Sequence, residues 1–270
     1  MIESVLPCVQ SRDDAQGGPS SAVRVDANAY LDYNYGNQEI PGRNSFSVLD
    51  LRETVGEGQL VAFRFKNATC VVAGTFNMYI VQPAWLAKIG IIPKGTEVAI
   101  GSKLDEPGFR FSSHKLRSQW IITPSRIEVA TESTEEDCGA KVAAVLQALP
   151  WTPLAGLGNN AFFAAPLQEV ESLPEEMRHA PKTPPGYDLT QRSFHFGASQ
   201  DGRIFNLQLN ITKDELELIV NVHTELRSRD SEVGQAAARR FLRDRKDAEA
   251  LIGHYFKASI EYANNDAKPA

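Results

Sequence analysis

One pattern occurs twice in this chain, and it restricts the fold more than any other stretch. The first copy is Trp120-Ile-Ile-Thr-Pro-Ser-Arg-Ile-Glu-Val-Ala-Thr131 and the second is Leu209-Asn-Ile-Thr-Lys-Asp-Glu-Leu-Glu-Leu-Ile-Val220. Superposed, Ile122 meets Ile211, Thr123 meets Thr212, Ile127 meets Leu216 and Glu128 meets Glu217. Each copy reads as strand, tight turn and strand, because apolar residues recur at every second position on both sides of a short polar break. Phe205, Leu207, Leu209 and Ile211 alternate with Asn206, Gln208, Asn210 and Thr212, the signature of an antiparallel strand with one wet face.

Each hairpin extends in both directions. Phe109-Arg-Phe-Ser-Ser precedes the first, and Phe194-His-Phe-Gly-Ala-Ser precedes the second as its echo. After the first, Ser133 and Glu136 form a capping-box pattern. Cys138, Val142, Val145, Leu146 and Leu149 then lie on one helical stripe, stopped by Pro150. After the second, a long helix is expected from about Ser231 to Tyr262, with Val233, Ala237, Phe241, Ala248, Ile252, Tyr255 and Ser259 as its inner stripe. The expected fold class is therefore α+β: two βββα-type repeats forming antiparallel sheet, edge to edge, with helices packed on one face and a pseudo-twofold between them.

The remaining segments are arranged around these units. Residues 1–58 read as an N-terminal extension and first strands, with candidates at Val23 and at Phe46–Leu51. Residues 59–170 form a first α+β half. It includes a hairpin of Leu60–Phe65 and Thr69–Phe76 turning at Asn67-Ala68, a short helix between Pro83 and Gly90, and a strand at Thr96–Ile100. Gly74 marks a bulge or a close approach. Residues 171–192 carry Pro174, Pro181, Pro184 and Pro185 and read as a linker, 193–263 as the second half, and 264–270 as a frayed tail.

Several chemistries find no support. The net charge of −6 does not steer the whole molecule toward nucleic acid or anionic lipid. No run approaches the roughly 18 apolar residues of a membrane helix, and the start lacks a signal-peptide pattern. Cys8, Cys70 and Cys138 are too few and too dispersed for a disulfide framework or a CxxC zinc site, so a reducing cytoplasm is the expected setting. Gly156-Leu-Gly-Asn-Asn-Ala161 matches a loose dinucleotide pattern, but Ala-Phe-Phe-Ala-Ala-Pro follows it rather than a helix. It reads instead as a turn feeding a strand. Gly197-Ala-Ser-Gln-Asp-Gly202 has its second glycine one position late for a nucleophile elbow; Asp201-Gly202 reads as a hairpin turn. No HxxxH or HExxH spacing joins His195, His223 and His254, so neither metal nor cofactor is expected. Glu128 and Glu217 read as exposed strand positions rather than as a catalytic pair.

Two features carry a functional signal. Arg239, Arg240, Arg243, Arg245 and Lys246 against Asp244 and Asp247 leave five positive minus two negative charges, +3, on one helical segment. Helical spacing puts Arg239, Arg243 and Lys246 on a common face, suited to phosphates or an acidic partner. His223 and His195 stand on strands of the same half, His223 on the less apolar face. No residue is assigned a catalytic role.

Together, the stretches Trp120–Leu149 and Phe205–Phe256 resemble a sporadically distributed, uncharacterised bacterial protein family with a duplicated α+β layout. The resemblance implies an accessory role in stress or mobile-element conflict and assigns no site residue. The resulting expectation is a non-enzymatic, cytoplasmic bacterial protein that binds a protein partner, with Arg239, Arg243, Lys246, His223 and His195 as candidate contacts. Two alternatives follow. One is a small-ligand-binding or hydrolytic pocket between sheet and helices, lined by Tyr30, Tyr33, Tyr35, Trp85 and Trp120. The other is nucleic-acid contact through the Arg239–Lys246 face.

Overall fold

The strand that begins at Val61 does not turn at Asn67. In the computed structural model, which describes residues 60–102, 107–113, 116–180, 185, 188–226 and 231–262, it continues as β1 (Val61–Gly74). Its buried side chains change parity on the way, Val61, Phe63 and Phe65 giving way to Ala68, Cys70 and Val72. A bulge between Phe65 and Asn67 absorbs the extra residue and keeps both apolar sets on one face. The expected hairpin at Asn67-Ala68 is therefore one long strand. The expected strands at Val23 and Phe46, and Tyr30, Tyr33 and Tyr35, lie outside the described residues.

The chain continues through α1 (Pro83–Lys88), β2 (Ala99–Gly101), β3 (Phe109–Ser112), β4 (Gln119–Ile122), β5 (Arg126–Thr131) and α2 (Cys138–Ala148). Next come β6 (Leu154–Pro166), a 3-10 turn over Leu167–Ser172, α3 (Glu175–Arg178), β7 (Arg192–Gln200), β8 (Arg203–Ile211) and β9 (Glu215–Glu225). The described chain closes with α4 (Ser231–Ala238), α5 (Phe241–Phe256) and β10 (Ala258–Glu261). The fold is α+β, built on a large sheet with strand order β2-β3-β4-β5-β1-β6-β9-β8-β7. Every pairing along that path is antiparallel. The two three-stranded sets do not meet edge to edge, because β1 and β6 stand between them. Gly156–Ala161, expected as a turn feeding a strand, lies within β6.

Both hairpins close with the same turn chemistry. Thr123 accepts the backbone N–H of Arg126 at 3.0 Å on its hydroxyl, and Thr212 accepts that of Glu215 at 3.1 Å. Ile122 faces Ile127, and Ile211 faces Leu216. By this register Phe111, opposite Trp120, corresponds to Phe194, opposite Leu209. The sequence echo Phe109/Phe194 is thus offset by two residues in space.

One face of the sheet is covered by α2, α4 and α5, which pack over β5, β1, β6 and β9 and against one another. Beneath them lies the apolar row Ile122, Ile127, Val72 and Leu157. Gly139 lets α2 approach closely: a Cβ there would sit 2.0 Å from the Ala238 carbonyl oxygen. The N-cap of α2 is Asp137, whose carboxylate accepts the Ala140 N–H at 2.9 Å. The expected capping box at Ser133 instead serves the preceding turn, where Ser133 accepts the Glu135 N–H. The expected helix 231–262 breaks at Arg239-Arg240, leaving Val233 47% exposed. It ends at Phe256, where Lys257 adopts φ 49° and turns the chain into β10. That ending has a packing reason. β5 covers β1 only from Ala68 to Ala73, and β10 pairs in parallel with the uncovered Val61–Arg64. Within 171–192, Leu173 and Met177 are buried, and Arg192 donates to the carbonyls of Met177 and Arg178.

Candidate binding face

The opposite face of the sheet is mixed: Val71, Phe162 and Ile219 lie on it, and beside them a row of polar side chains is joined together. Register places Thr69, Asn160, Asn221 and Asn206 in one row across β1, β6, β9 and β8. Asn206 donates its amide to the Asn221 carbonyl oxygen at 3.3 Å, Asn221 donates to Asn160, and Asn160 donates to the Thr69 hydroxyl at 2.8 Å. Thr69 is buried and the three asparagines are half-buried. The amides point the same way along the row, so each polarises the next. The row runs on to Gly197 of β7, where no atom of the described residues lies within 4 Å of a Cβ position.

Two glycines of β6 form the floor of the neighbouring region. A Cβ at Gly156 would lie 3.0 Å from the His223 ring, and one at Gly158 would lie 2.9 Å from the Asn221 amide nitrogen. The Gly-x-Gly pattern that loosely resembles a nucleotide loop therefore gives His223 and Asn221 room to lie across the strand. Burial lowers the His223 pKa from its usual 6.5 more strongly than nearby Glu225 raises it, which favours the neutral imidazole. Gln208, Asn210 and Ser193 extend the polar area, with Gln208 and Ser193 both bonded to Asn210. This area offers donors and acceptors held in fixed positions, neutral along the amide row and with the Glu217 carboxylate opposite Asn210.

His195 also stands on this face, exposed, opposite Gln208. Strand spacing and rise put it roughly 17 Å from His223. His254 is exposed on α5, on the far side of the sheet, with its ring edge-on to Tyr255. The three histidines do not converge, and among the described residues no group of three His, Cys, Asp or Glu does. Glu128 and Glu217 lie on β5 and β9, three strand spacings apart, roughly 14 Å on that axis alone.

The basic segment divides by direction. Arg245 turns inward, donating to the Thr134 carbonyl at 2.8 Å beside the Phe65 ring, and Arg240 donates to Thr224. Arg239, Arg243 and Lys246 are exposed. Arg239 donates to Gln235, and Arg243 lies 3.8 Å from Asp247. Trp120, expected at a pocket, is fully buried and stacks on Phe111 at 5.5 Å, while Trp85 is half-buried against the core. The gap between α5 and the sheet, beside Asn159 and Arg245, has no room for even a water-sized group.

A buried polar cluster was not legible from the sequence. Asp244 of α5 is fully buried and accepts from Asn159 at 2.7 Å and Arg203 at 2.8 Å. Arg203 also donates to Asp247 at 2.6 Å and lies over the Phe205 ring. Burial alone would lower the Arg203 pKa, but its bonds to Asp247 and Asp244 outweigh that and raise it. The cluster ties α5 to β6 and β8. The sequence signal for it was an arginine directly after the Asp201-Gly202 turn, at a position that alternation assigns to the inner face.

No protein-family model matches the chain, and no curated protein is similar to it in sequence.

Proposed function

We propose that the protein acts by binding, not by catalysis, and that the polar face of its sheet is the recognition surface for a protein partner. The observation that carries this reading is the amide row Thr69–Asn160–Asn221–Asn206, held at half-burial on the side away from the α2, α4 and α5 layer. Isolated strand-face amides are free to follow solvent. A connected row is fixed in advance, so a partner's hydrogen-bonding groups meet it at low entropic cost. Its neutrality suits a partner that offers backbone or side-chain amides and hydroxyls. His223 and His195 belong to this surface.

The test is co-purification from the native host, followed by titration calorimetry with the captured partner. Asn206→Ala with Gln208→Ala should weaken binding about tenfold or more, since each lost bond is worth about 1 kcal/mol. Undiminished capture by that variant rules the face out, and a turnover activity abolished by one substitution rules out the binding reading.

A second reading rests on Arg239, Arg243 and Lys246, which are exposed while Arg240 and Arg245 are tethered inward. These three could hold an acidic partner or a nucleic-acid backbone. Fluorescence anisotropy with single- and double-stranded oligonucleotides at low salt tests the latter. If the wild type binds neither, this reading ends.

We also infer that the two βββα units are a duplication with a pseudo-twofold. The shared threonine turns and the symmetric placement of the three-stranded sets about β1 and β6 support it. The inference fails if superposing Ile122 on Ile211 in an experimental structure leaves Trp120 and Leu209 on opposite faces. The resemblance to an accessory bacterial family suggests that the partner belongs to stress or mobile-element conflict, which the identity of the captured protein tests.

A further inference from the structure

The two ends of the sheet differ. At one end β2 has three residues, too short to template a neighbour. At the other, β7 presents nine residues, and among the described residues no strand pairs with its outer side. Of the devices that blunt an edge it carries one, the charged Arg192 at its first position, which is tethered to the Met177 and Arg178 carbonyls. It has no proline, no lysine and no acidic residue, and its register with β8 runs without a bulge from Arg192 to Gln200. Its helix-side residues Phe194, Phe196 and Ala198 are only half-buried. The end of α5 reaches the strand through Tyr255 and Phe256, whose rings lie 5.1 and 5.3 Å from that of Phe196. An unpaired backbone row and a half-exposed aromatic stripe therefore lie side by side.

The residue order of β7 says what fits there. Consider a second copy paired antiparallel about a twofold axis through Phe196, the midpoint of the strand. Phe194 then faces Ala198 of the second copy, His195 faces Gly197, Ser193 faces Ser199 and Arg192 faces Gln200. Phe196 faces Phe196 of the second copy as an aromatic pair, the other phenylalanine meets a small residue, polar meet polar, and no like charges oppose. Gly197 gains a reason. Among the described residues nothing lies within 4 Å of its Cβ position and its φ is ordinary, so none of them accounts for a glycine in mid-strand. Directly opposed side chains in an antiparallel pair stand about 5 Å apart, and His195 of the second copy would occupy the space over that glycine.

We propose that the chain forms a twofold dimer through β7, joining two sheets into one and placing their polar faces side by side. The dimer stands independently of what those faces bind. Sedimentation equilibrium of the full chain over about 1–100 µM tests it, since self-association follows protomer concentration. The expected mass is twice the 29.7 kDa of one chain. Gly197→Lys should shift the protein to a single chain, weakening association at least tenfold, with the circular dichroism spectrum unchanged because the Cβ position is open. Adding His195→Gly to that variant should restore the dimer, since each lysine then faces a glycine. Hydrogen exchange on the wild type gives a readout free of any variant: β7 amides should all be protected at high concentration, and alternate ones should lose protection on dilution. A wild type that stays at the mass of one chain overturns the proposal. So does a dimer that Gly197→Lys leaves as tight as before, or one whose β7 amides exchange without regard to concentration.

Discussion

Replacing Arg203 by methionine tests whether the cluster beneath α5 behaves as a buried ion pair. Arg203 is 2% exposed and Asp244 is fully buried. Without the guanidinium, the Asp244 side chain keeps one described donor, the Asn159 amide at 2.7 Å. Asp247, with a side chain 28% exposed, can turn to water and loses less. Stranding a buried carboxylate costs about 3–5 kcal/mol. At roughly 2–4 °C per kcal/mol for a chain of this size, Tm should fall by roughly 6–20 °C. The decisive variant is Arg203→Met with Asp244→Leu, which removes both buried charges: the Asn159 amide loses its acceptor at about 1–3 kcal/mol, and Asp247 and Gln200, nearer the surface, can turn to water. The double variant should therefore be more stable than the single one. Urea unfolding followed by circular dichroism gives the free energies. A single variant costing under about 1 kcal/mol refutes the reasoning, as does a double variant less stable than the single. Raising the salt should leave the single-variant penalty unchanged, because a dry pair is poorly screened.

Three further outcomes follow from the same structure. Gly139→Ala should destabilise by about 1–3 kcal/mol or more in urea: helix propensity favours alanine by about 1 kcal/mol, but the new Cβ meets the Ala238 carbonyl at 2.0 Å. His223 has a folded pKa below its usual 6.5, so the unfolded chain takes up its proton first. Its contribution is then complete above pH 6.5 and lost as pH falls through the folded value, and His223→Gln should flatten that acid-side slope in Tm against pH. Burial pushes the Cys138 thiol up to about 12 and that of Cys70 well above its usual value. Iodoacetamide at pH 8 should therefore leave both unlabelled by mass spectrometry in the native protein and label both in urea; rapid native labelling of either would contradict their burial.

The hairpins were legible because their cause is local. Strict alternation from Phe205 to Ile211 sets one wet face and one dry face, and Thr123 and Thr212 close their turns with bonds spanning three residues. The α2 stripe was legible for the same reason, and Cys138, Val142, Val145 and Leu146 are buried as their spacing requires. Asp201-Gly202 announced its turn and adopts φ 51° and 74°. Gly74 announced a close approach, and its Cβ position lies 2.5 Å from the Pro153 carbonyl oxygen.

Long-range competition decided the rest. Asn67 is a turn former but has no glycine or proline beside it, and pairing with β5 on one side and β6 on the other holds β1 straight, at the cost of one bulge. The last helix had periodicity enough to run on, but an open stretch of β1 captured its end as β10. The three asparagines of the amide row stand far apart in the sequence, on β6, β8 and β9. Only strand order and register bring them together with Thr69, and nothing in their local sequence distinguishes them from ordinary exposed strand residues. By itself the sequence determined which residues face inward and where short turns fall, because alternation and turn chemistry act over a few residues. The tertiary structure decided which strands are neighbours, and with that which polar side chains share a face, because strand pairing joins segments that the sequence keeps apart.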